Sequence, residues 1–172
     1  MLEPTPLLAV VEPAPAADFG RFFADEYPRL ARACVLLTGS GSEGEDLAQE
    51  AMARAFERWS RVGSMGSPAG YVYRTAFNLN RRRLRRLGLA AKRFFAGTDP
   101  SDPAALAADR DLVLRALASV PDTQREALIL VGWLGMDATE AAGVLGVDAG
   151  SVRGRVHRAR ISLRELFGDD DG

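Results

Sequence analysis

Several residue types are scarce in this chain, and each shortage excludes a class of protein. Its 172 residues include one cysteine, Cys34, and one histidine, His157. A disulfide framework is therefore excluded, and a metal site or a cysteine–histidine catalytic pair is disfavoured. The sequence also contains no recognisable catalytic carboxylate pair or phosphate-binding loop. We therefore expect no catalytic residue, no cofactor and no metal, and hence no enzyme.

Long apolar segments are missing as well. No run approaches the roughly 20 apolar residues that a membrane span needs, so membrane insertion is not expected. The apolar stretch 7–11 is surrounded by prolines, and no basic residue precedes it. It therefore does not resemble a signal peptide. Together with the solitary cysteine, which suits a reducing compartment, this predicts a cytoplasmic location.

Charge is abundant but sorted along the chain. The formal net charge is −1, yet residues 61–98 carry nine basic residues and no acid, and residues 151–165 carry five arginines and one glutamate. The segments between and around them are acidic. A protein that needed only solubility would mix its charges. Two separate arginine-rich segments instead predict two surfaces that neutralise nucleic-acid phosphates.

Hydrophobic periodicity of three to four residues recurs along the chain, without sustained alternation of period two. This predicts an all-α fold of two small helical domains joined by a flexible linker. The expected segments are a flexible N-terminal arm (1–17), a first domain (18–87), the linker (88–103), a second domain (104–167) and an acidic tail (168–172). Because the linker is rich in glycine, proline and alanine, we expect the two domains to pack only weakly against each other.

Three long helices are predicted in the first domain. The first runs from about Asp18 to Gly39. The second begins with a capping box at Ser42 and Glu45, and its apolar stripe includes Leu47, Phe56 and Trp59. The third begins at Ser67 and Pro68 and runs to about Leu87. Its predicted inner face consists of Tyr71, Val72, Thr75, Ala76, Leu79 and Arg83.

The second domain is predicted to end in a helix-turn-helix motif. Two helices precede the motif, one capped by Asp102 with Pro103 and one by Thr123 with Glu126. The apolar set of the earlier helix is Leu106, Leu112, Val113, Leu117 and Val120. The motif itself comprises a helix over 139–145, a left-handed turn at Gly146 and a helix over 149–166 that Asp148 caps. In this last helix the apolar side is Val152, Val156, Ala159 and Leu163. The opposite side offers candidates for reading duplex DNA in the major groove, namely Ser151, Arg153, Arg155, His157 and Arg158.

The third helix of the first domain carries a second set of candidate DNA-binding residues. Asparagine can form paired hydrogen bonds with a base edge, and arginines on one helix can follow a phosphate backbone. The set is Arg74, Asn78, Asn80, Arg81, Arg82 and Arg85. Aromatic residues interleave with it, and an exposed ring there could stack on an unpaired base. We expect Tyr71 to be core, while both interpretations stay open for Tyr73 and Phe77.

In order and spacing, these motifs resemble the extracytoplasmic-function sigma factors of bacterial RNA polymerase. The resemblance covers about residues 19–167 and rests on residues 45–51 with Phe56 and Trp59, on 68–86, on 117–126 and on 150–160. It implies that the first domain binds the minus-ten promoter element and the second the minus-thirty-five element. It also implies that Asp46, Leu47, Gln49 and Glu50 serve binding to the clamp helices of the polymerase largest subunit, with Leu47 and Phe56 supporting the helix from within. The implied partners are core RNA polymerase, promoter DNA and an anti-sigma factor. A free-standing helix-turn-helix regulator that binds duplex operators alone is the alternative.

Overall fold

The computed structural model describes residues 15–88 and 104–168, with the side chains of 15–17 and 104–108 left out of the description. The predicted all-α fold is confirmed, since these residues form helices and no strand. The first domain holds α1 (Pro15–Thr38), α2 (Gly41–Glu57), α3 (Trp59–Val62) and α4 (Pro68–Leu87). The second holds α5 (Ala104–Ser119), α6 (Asp122–Leu128), a π-helical turn (Ile129–Trp133), α7 (Ala138–Leu145) and α8 (Ala149–Phe167). None of the helices in the described ranges combines the length and hydropathy required to cross a membrane.

Three predicted segments lie mostly outside the described residues. They are the arm as far as residue 14, the linker from residue 89 to 103, and the tail from residue 169 onward. Their flexibility stays a prediction, as does the cap at Asp102 and Pro103. The helix predicted from Asp18 begins three residues earlier, at Pro15.

The tight crossing of α1 and α2 builds the core of the first domain. Gly44 faces the α1 backbone so closely that a Cβ atom there would lie 2.6 Å from the amide nitrogen of Val35. The close approach lets Leu30 and Cys34 of α1 pack fully buried against the small side chains of α2. Burial raises the pKa of the Cys34 thiol to about 12, so this side chain serves packing rather than chemistry.

Helix caps confirm some sequence signals and correct others. Ser67 caps α4 by accepting a hydrogen bond from the Gly70 amide at 3.0 Å, as predicted. The cap predicted at Ser42 is wrong, because the chain is extended at Ser40 and α2 begins directly after it. The capping box predicted at Thr123 is also wrong: α6 begins after Pro121 with no side-chain cap, and Glu126 is used elsewhere.

The buried face of α4 is displaced by one residue from the predicted face. Its buried residues are Val72, Tyr73, Ala76, Phe77 and Asn80. Tyr73 donates a hydrogen bond to Glu26 of α1 at 2.8 Å, and burial with this bond raises the pKa of its hydroxyl. Because α4 packs against α7 as well as against α1 and α2, its buried face turns toward the second domain.

Three apolar side chains predicted to be core are instead about half exposed. On α5, Leu112 and Val113 are exposed, whereas Leu117 and, directly after the helix, Val120 are buried as predicted. On α2, Phe56 is 54% exposed and lies with its ring centroid 5.0 Å from that of Phe19. The hydrophobic spacing of these helices continues beyond the surface that their neighbours cover.

The two domains share one continuous hydrophobic core, so the expectation of weak packing does not hold in this structure. Helix α4 packs against α7, and α1 packs against the π-helical turn. Polar contacts also cross the boundary. Arg29 donates to the Leu134 carbonyl at 3.1 Å, and Arg125 donates to the Leu37 carbonyl at 3.4 Å. The third is an ion pair between Arg81 and Glu126.

Candidate nucleic-acid and polymerase interfaces

The helix-turn-helix motif consists of α7 and α8. Gly146 ends α7 in the left-handed conformation, with φ of 68°, which a glycine adopts without steric cost. Asp148 then caps α8 by accepting hydrogen bonds from the Ser151 amide at 2.8 Å and the Ser151 hydroxyl at 2.6 Å. These bonds lower the pKa of Asp148. The predicted turn and cap are therefore confirmed.

Helix α8 is anchored by Val152, Val156 and Ala159, which are buried. Leu163, predicted on the same side, is half-buried. The outward side brings together the predicted residues Arg153, Arg155, His157 and Arg158, with Arg160 beside them. No carboxylate of the described residues forms an ion pair with any of these arginines. Ser151 differs from the rest, because its hydroxyl is engaged with Asp148.

A basic cleft of about 220 Å³ lies between α2 and α4. Arg74, Asn78 and Arg82, spaced four residues apart on α4, line one side of it. Arg54 of α2 and Arg58, directly after α2, line the other side, although they were not among the predicted residues because they stand in an acidic segment. Their four-residue spacing was the signal available.

An aromatic ring also lines the basic cleft, but it is not the one expected. Tyr73 and Phe77 are 1% and 0% exposed, so both are core. Tyr71, expected to be core, is half-exposed in the cleft, where its hydroxyl accepts a hydrogen bond from Arg58 at 3.2 Å. The one-residue displacement of the buried face explains why the prediction for Tyr71 is wrong and why Tyr73 and Phe77, for which both interpretations were open, are core.

The other three candidates on α4 lie outside the basic cleft. Asn80 is 2% exposed, and its side-chain oxygen has no hydrogen-bond partner among the described residues. Arg81 is held by Glu126 through hydrogen bonds of 2.8 and 2.6 Å. Arg85 is exposed and borders a separate cavity of about 360 Å³, which Arg81 and Glu126 also line.

The surface of α2 presents the predicted polymerase-binding residues. Asp46, Gln49 and Glu50 are exposed, while Leu47 is 8% exposed and supports the helix from within. Glu50 forms an ion pair with Arg54 one turn later at 2.8 Å. Phe56 was expected to support the helix from within as well, but its exposed ring is on the surface, two turns from Gln49.

Comparison with known proteins identifies the family of this chain. The family model for Sigma-70 region 2 matches residues 22–89, and that for Sigma-70, region 4 matches residues 110–163. The chain is 31% identical to the ECF RNA polymerase sigma factor EcfG of Rhodopseudomonas palustris, covering 84% of this chain and 86% of the relative. It is 30% identical to the ECF RNA polymerase sigma factor SigL of Mycobacterium tuberculosis, covering 92% and 98%.

Solved structures share the fold. The sigma factor RpoE from Bartonella quintana, in complex with the anti-sigma factor NepR, superposes with a TM-score of 0.69 at 24% identity, covering 89% of this chain and 98% of that one. CnrH, in complex with the cytosolic domain of CnrY, superposes with a TM-score of 0.66 at 24% identity, covering 92% and 96%. The chain belongs to the ECF family of RNA polymerase sigma factors, the alternative sigma factors of bacterial transcription initiation.

Proposed function

We propose that this sigma factor uses three binding surfaces: α2 binds core RNA polymerase, the basic cleft binds the minus-ten element, and α8 binds the minus-thirty-five element. The observation that carries the proposal is the pairing of two unlike basic surfaces in one chain. The basic cleft offers a half-exposed ring among four arginines, which suits an unpaired base on a phosphate backbone. Helix α8 offers arginines on an anchored helix, which suits duplex DNA. The protein then contributes binding rather than catalysis, and it acts in the cytoplasm with the polymerase.

Single substitutions on α8 test the duplex-reading surface. Losing a base-reading arginine costs about 1–3 kcal/mol and relaxes preference at one base pair, whereas losing a phosphate contact weakens all sequences alike. We therefore expect Arg153→Ala and Arg158→Ala to change selectivity in transcription from genomic promoter fragments with core polymerase. Arg164→Ala, in the last turn of the same helix, is the control. Unchanged selectivity and affinity in both α8 variants would refute the assignment.

The basic cleft is tested by separating the ring of Tyr71 from its hydroxyl. Stacking of a base on an aromatic ring contributes about 1–3 kcal/mol, so Tyr71→Ala should weaken promoter opening by roughly tenfold or more. Tyr71→Phe keeps the ring and should retain most activity. Permanganate reactivity of unpaired thymines in the polymerase complex reports opening directly. Equal loss in both variants would show that the ring does not stack on DNA.

The polymerase surface is tested by charge reversal. Asp46→Lys combined with Glu50→Lys should abolish co-elution with core polymerase without loss of helicity, because both side chains are exposed and the Glu50–Arg54 pair contributes only about 0.3–0.5 kcal/mol. Asp25→Lys, on the exposed side of α1, is the control. Phe56 extends the same surface, so Phe56→Ala should weaken the association. A free-standing regulator would instead bind duplex DNA without polymerase, and omitting the polymerase separates the two functions.

An anti-sigma factor is a further proposed partner. It is supported by the fold shared with RpoE and CnrH, both solved in complexes of that kind. Such a partner would have to cover α2 or the basic surfaces to block function. Protection of these surfaces from hydrogen exchange, in a complex captured from the native host, is the expected observation.

A further inference from the structure

The contact between Arg81 and Glu126 joins a proposed DNA-binding residue to the other domain. Both guanidinium nitrogens involved donate to the two oxygens of one carboxylate, at 2.8 and 2.6 Å. The Glu126 side chain is 3% exposed, and that of Arg81 is 28% exposed. A bidentate pair of this kind satisfies a buried carboxylate and fixes the direction of the arginine fork. The guanidinium that should meet a phosphate is thereby occupied.

The surroundings of this pair show that it belongs to a closed arrangement of the two domains. Helix α4 packs on α7, and two further arginines donate across the boundary to main-chain carbonyls. Next to Arg81, Asn80 is buried and its side-chain oxygen has no partner among the described residues, which is destabilising at this position. Two of the six minus-ten candidates are therefore withheld from DNA in this structure.

We infer that the Arg81–Glu126 pair is a latch that holds the sigma factor closed, and that promoter DNA and Glu126 compete for the Arg81 guanidinium. Two oxygens of a DNA phosphate can replace the two carboxylate oxygens with the same fork geometry. Separation of the domains returns Glu126 to water, so the carboxylate is not left buried without a partner. The inference rests on the proposed function in one respect, the assignment of Arg81 to DNA. Closure itself does not depend on that assignment.

Glu126→Gln in the full chain tests the latch, because it removes the charge and keeps the size of the side chain. Fluorophores at Ser60→Cys and Glu165→Cys, both exposed positions, report the interdomain distance, while the buried Cys34 escapes labelling. We expect a longer and broader distance distribution, and affinity for a single-stranded oligonucleotide of about 12 nucleotides that rises about fivefold or more. The control is Glu43→Gln, which removes an ion pair with Arg83 of α4 inside the first domain and should change neither.

Charge exchange and DNA addition complete the test. Arg81→Glu with Glu126→Arg should restore the short distance without the gain in DNA affinity. In the wild-type chain, adding the oligonucleotide should lengthen the distance, a result that does not depend on any variant folding. The latch is overturned if a folded Glu126→Gln variant keeps the wild-type distance, and the competition with DNA is overturned if the oligonucleotide leaves the wild-type distance unchanged. A chain that opens as expected yet binds no DNA with core polymerase would contradict the proposed function and leave the closure standing.

Discussion

Replacing Gly44 by alanine should destabilise the first domain, although alanine is the better helix former. The new Cβ would lie 2.6 Å from the Val35 nitrogen and 2.7 Å from the Val35 Cα and Cγ2 atoms. Two of these are backbone atoms of α1, so rotation of a side chain cannot relieve the overlap. The two helices must instead move apart. Overpacking costs about 1–3 kcal/mol, with the larger values where backbone must shift. The helix propensity of alanine returns up to about 1 kcal/mol. We expect a net loss of about 1–2 kcal/mol in the free energy of unfolding.

Urea unfolding followed by circular dichroism measures this loss, and Gly143→Ala supplies the matched control. Gly143 is also inside a helix, but a Cβ there would meet nothing within 4 Å. It should gain about 0.5–1 kcal/mol from helix propensity alone. Opposite signs at the two glycines are the expected result. Stabilisation by both substitutions would refute the reasoning, since α1 and α2 would then have room that the structure denies them.

Two further predictions concern ionisable groups. Cys34 should resist thiol reagents at neutral pH and react only on unfolding, because burial removes access to the sulfur and raises the pKa of the thiol to about 12. Labelling of the folded protein as fast as an exposed thiol would contradict this. Asp148 has a pKa below its ordinary value of 3.8, so its contribution to stability is complete above that value and is lost as the pH falls through the lower, folded pKa. Asp148→Asn keeps the capping oxygen without titrating, and should therefore flatten this part of the acid dependence in unfolding curves between about pH 5 and pH 1.

The helix-turn-helix motif could be predicted from sequence because its signals are local. The left-handed turn at Gly146 and the cap at Asp148 each depend on residues within a few positions of themselves. The apolar anchors of α8 then follow from helical spacing alone. Leu163 is only half-buried, because the spacing continues past the surface that the rest of the domain covers.

The basic cleft could be predicted only in part. Spacing placed Arg74, Asn78 and Arg82 on one side of α4, but the opposite wall comes from α2 and required knowledge of how the helices pack. The predicted buried face of α4 differs from the observed one by one residue, because periodicity identifies an apolar face but does not tell how many neighbouring helices cover it. Tyr73 lies inward, where it donates to Glu26 of α1, and Tyr71 lies outward. No local signal predicted that the Glu126 side chain would pair with Arg81 instead of capping the start of α6.

The polar contacts that Arg29, Arg125 and Arg81 form between the domains differ in what they require of each partner. Arg29 and Arg125 donate to main-chain carbonyls, which any domain of the same shape would present whatever its sequence. Arg81 needs a carboxylate at one position of the second domain. In a chimera that joins residues 1–88 to the second domain of another family member, the Arg29 contact would therefore survive exchange, whereas the Arg125 contact would survive only if the new domain has an arginine at the aligned position. In such a hybrid, the ion pair of Arg81 would form only if the residue that aligns with Glu126 carries a carboxylate.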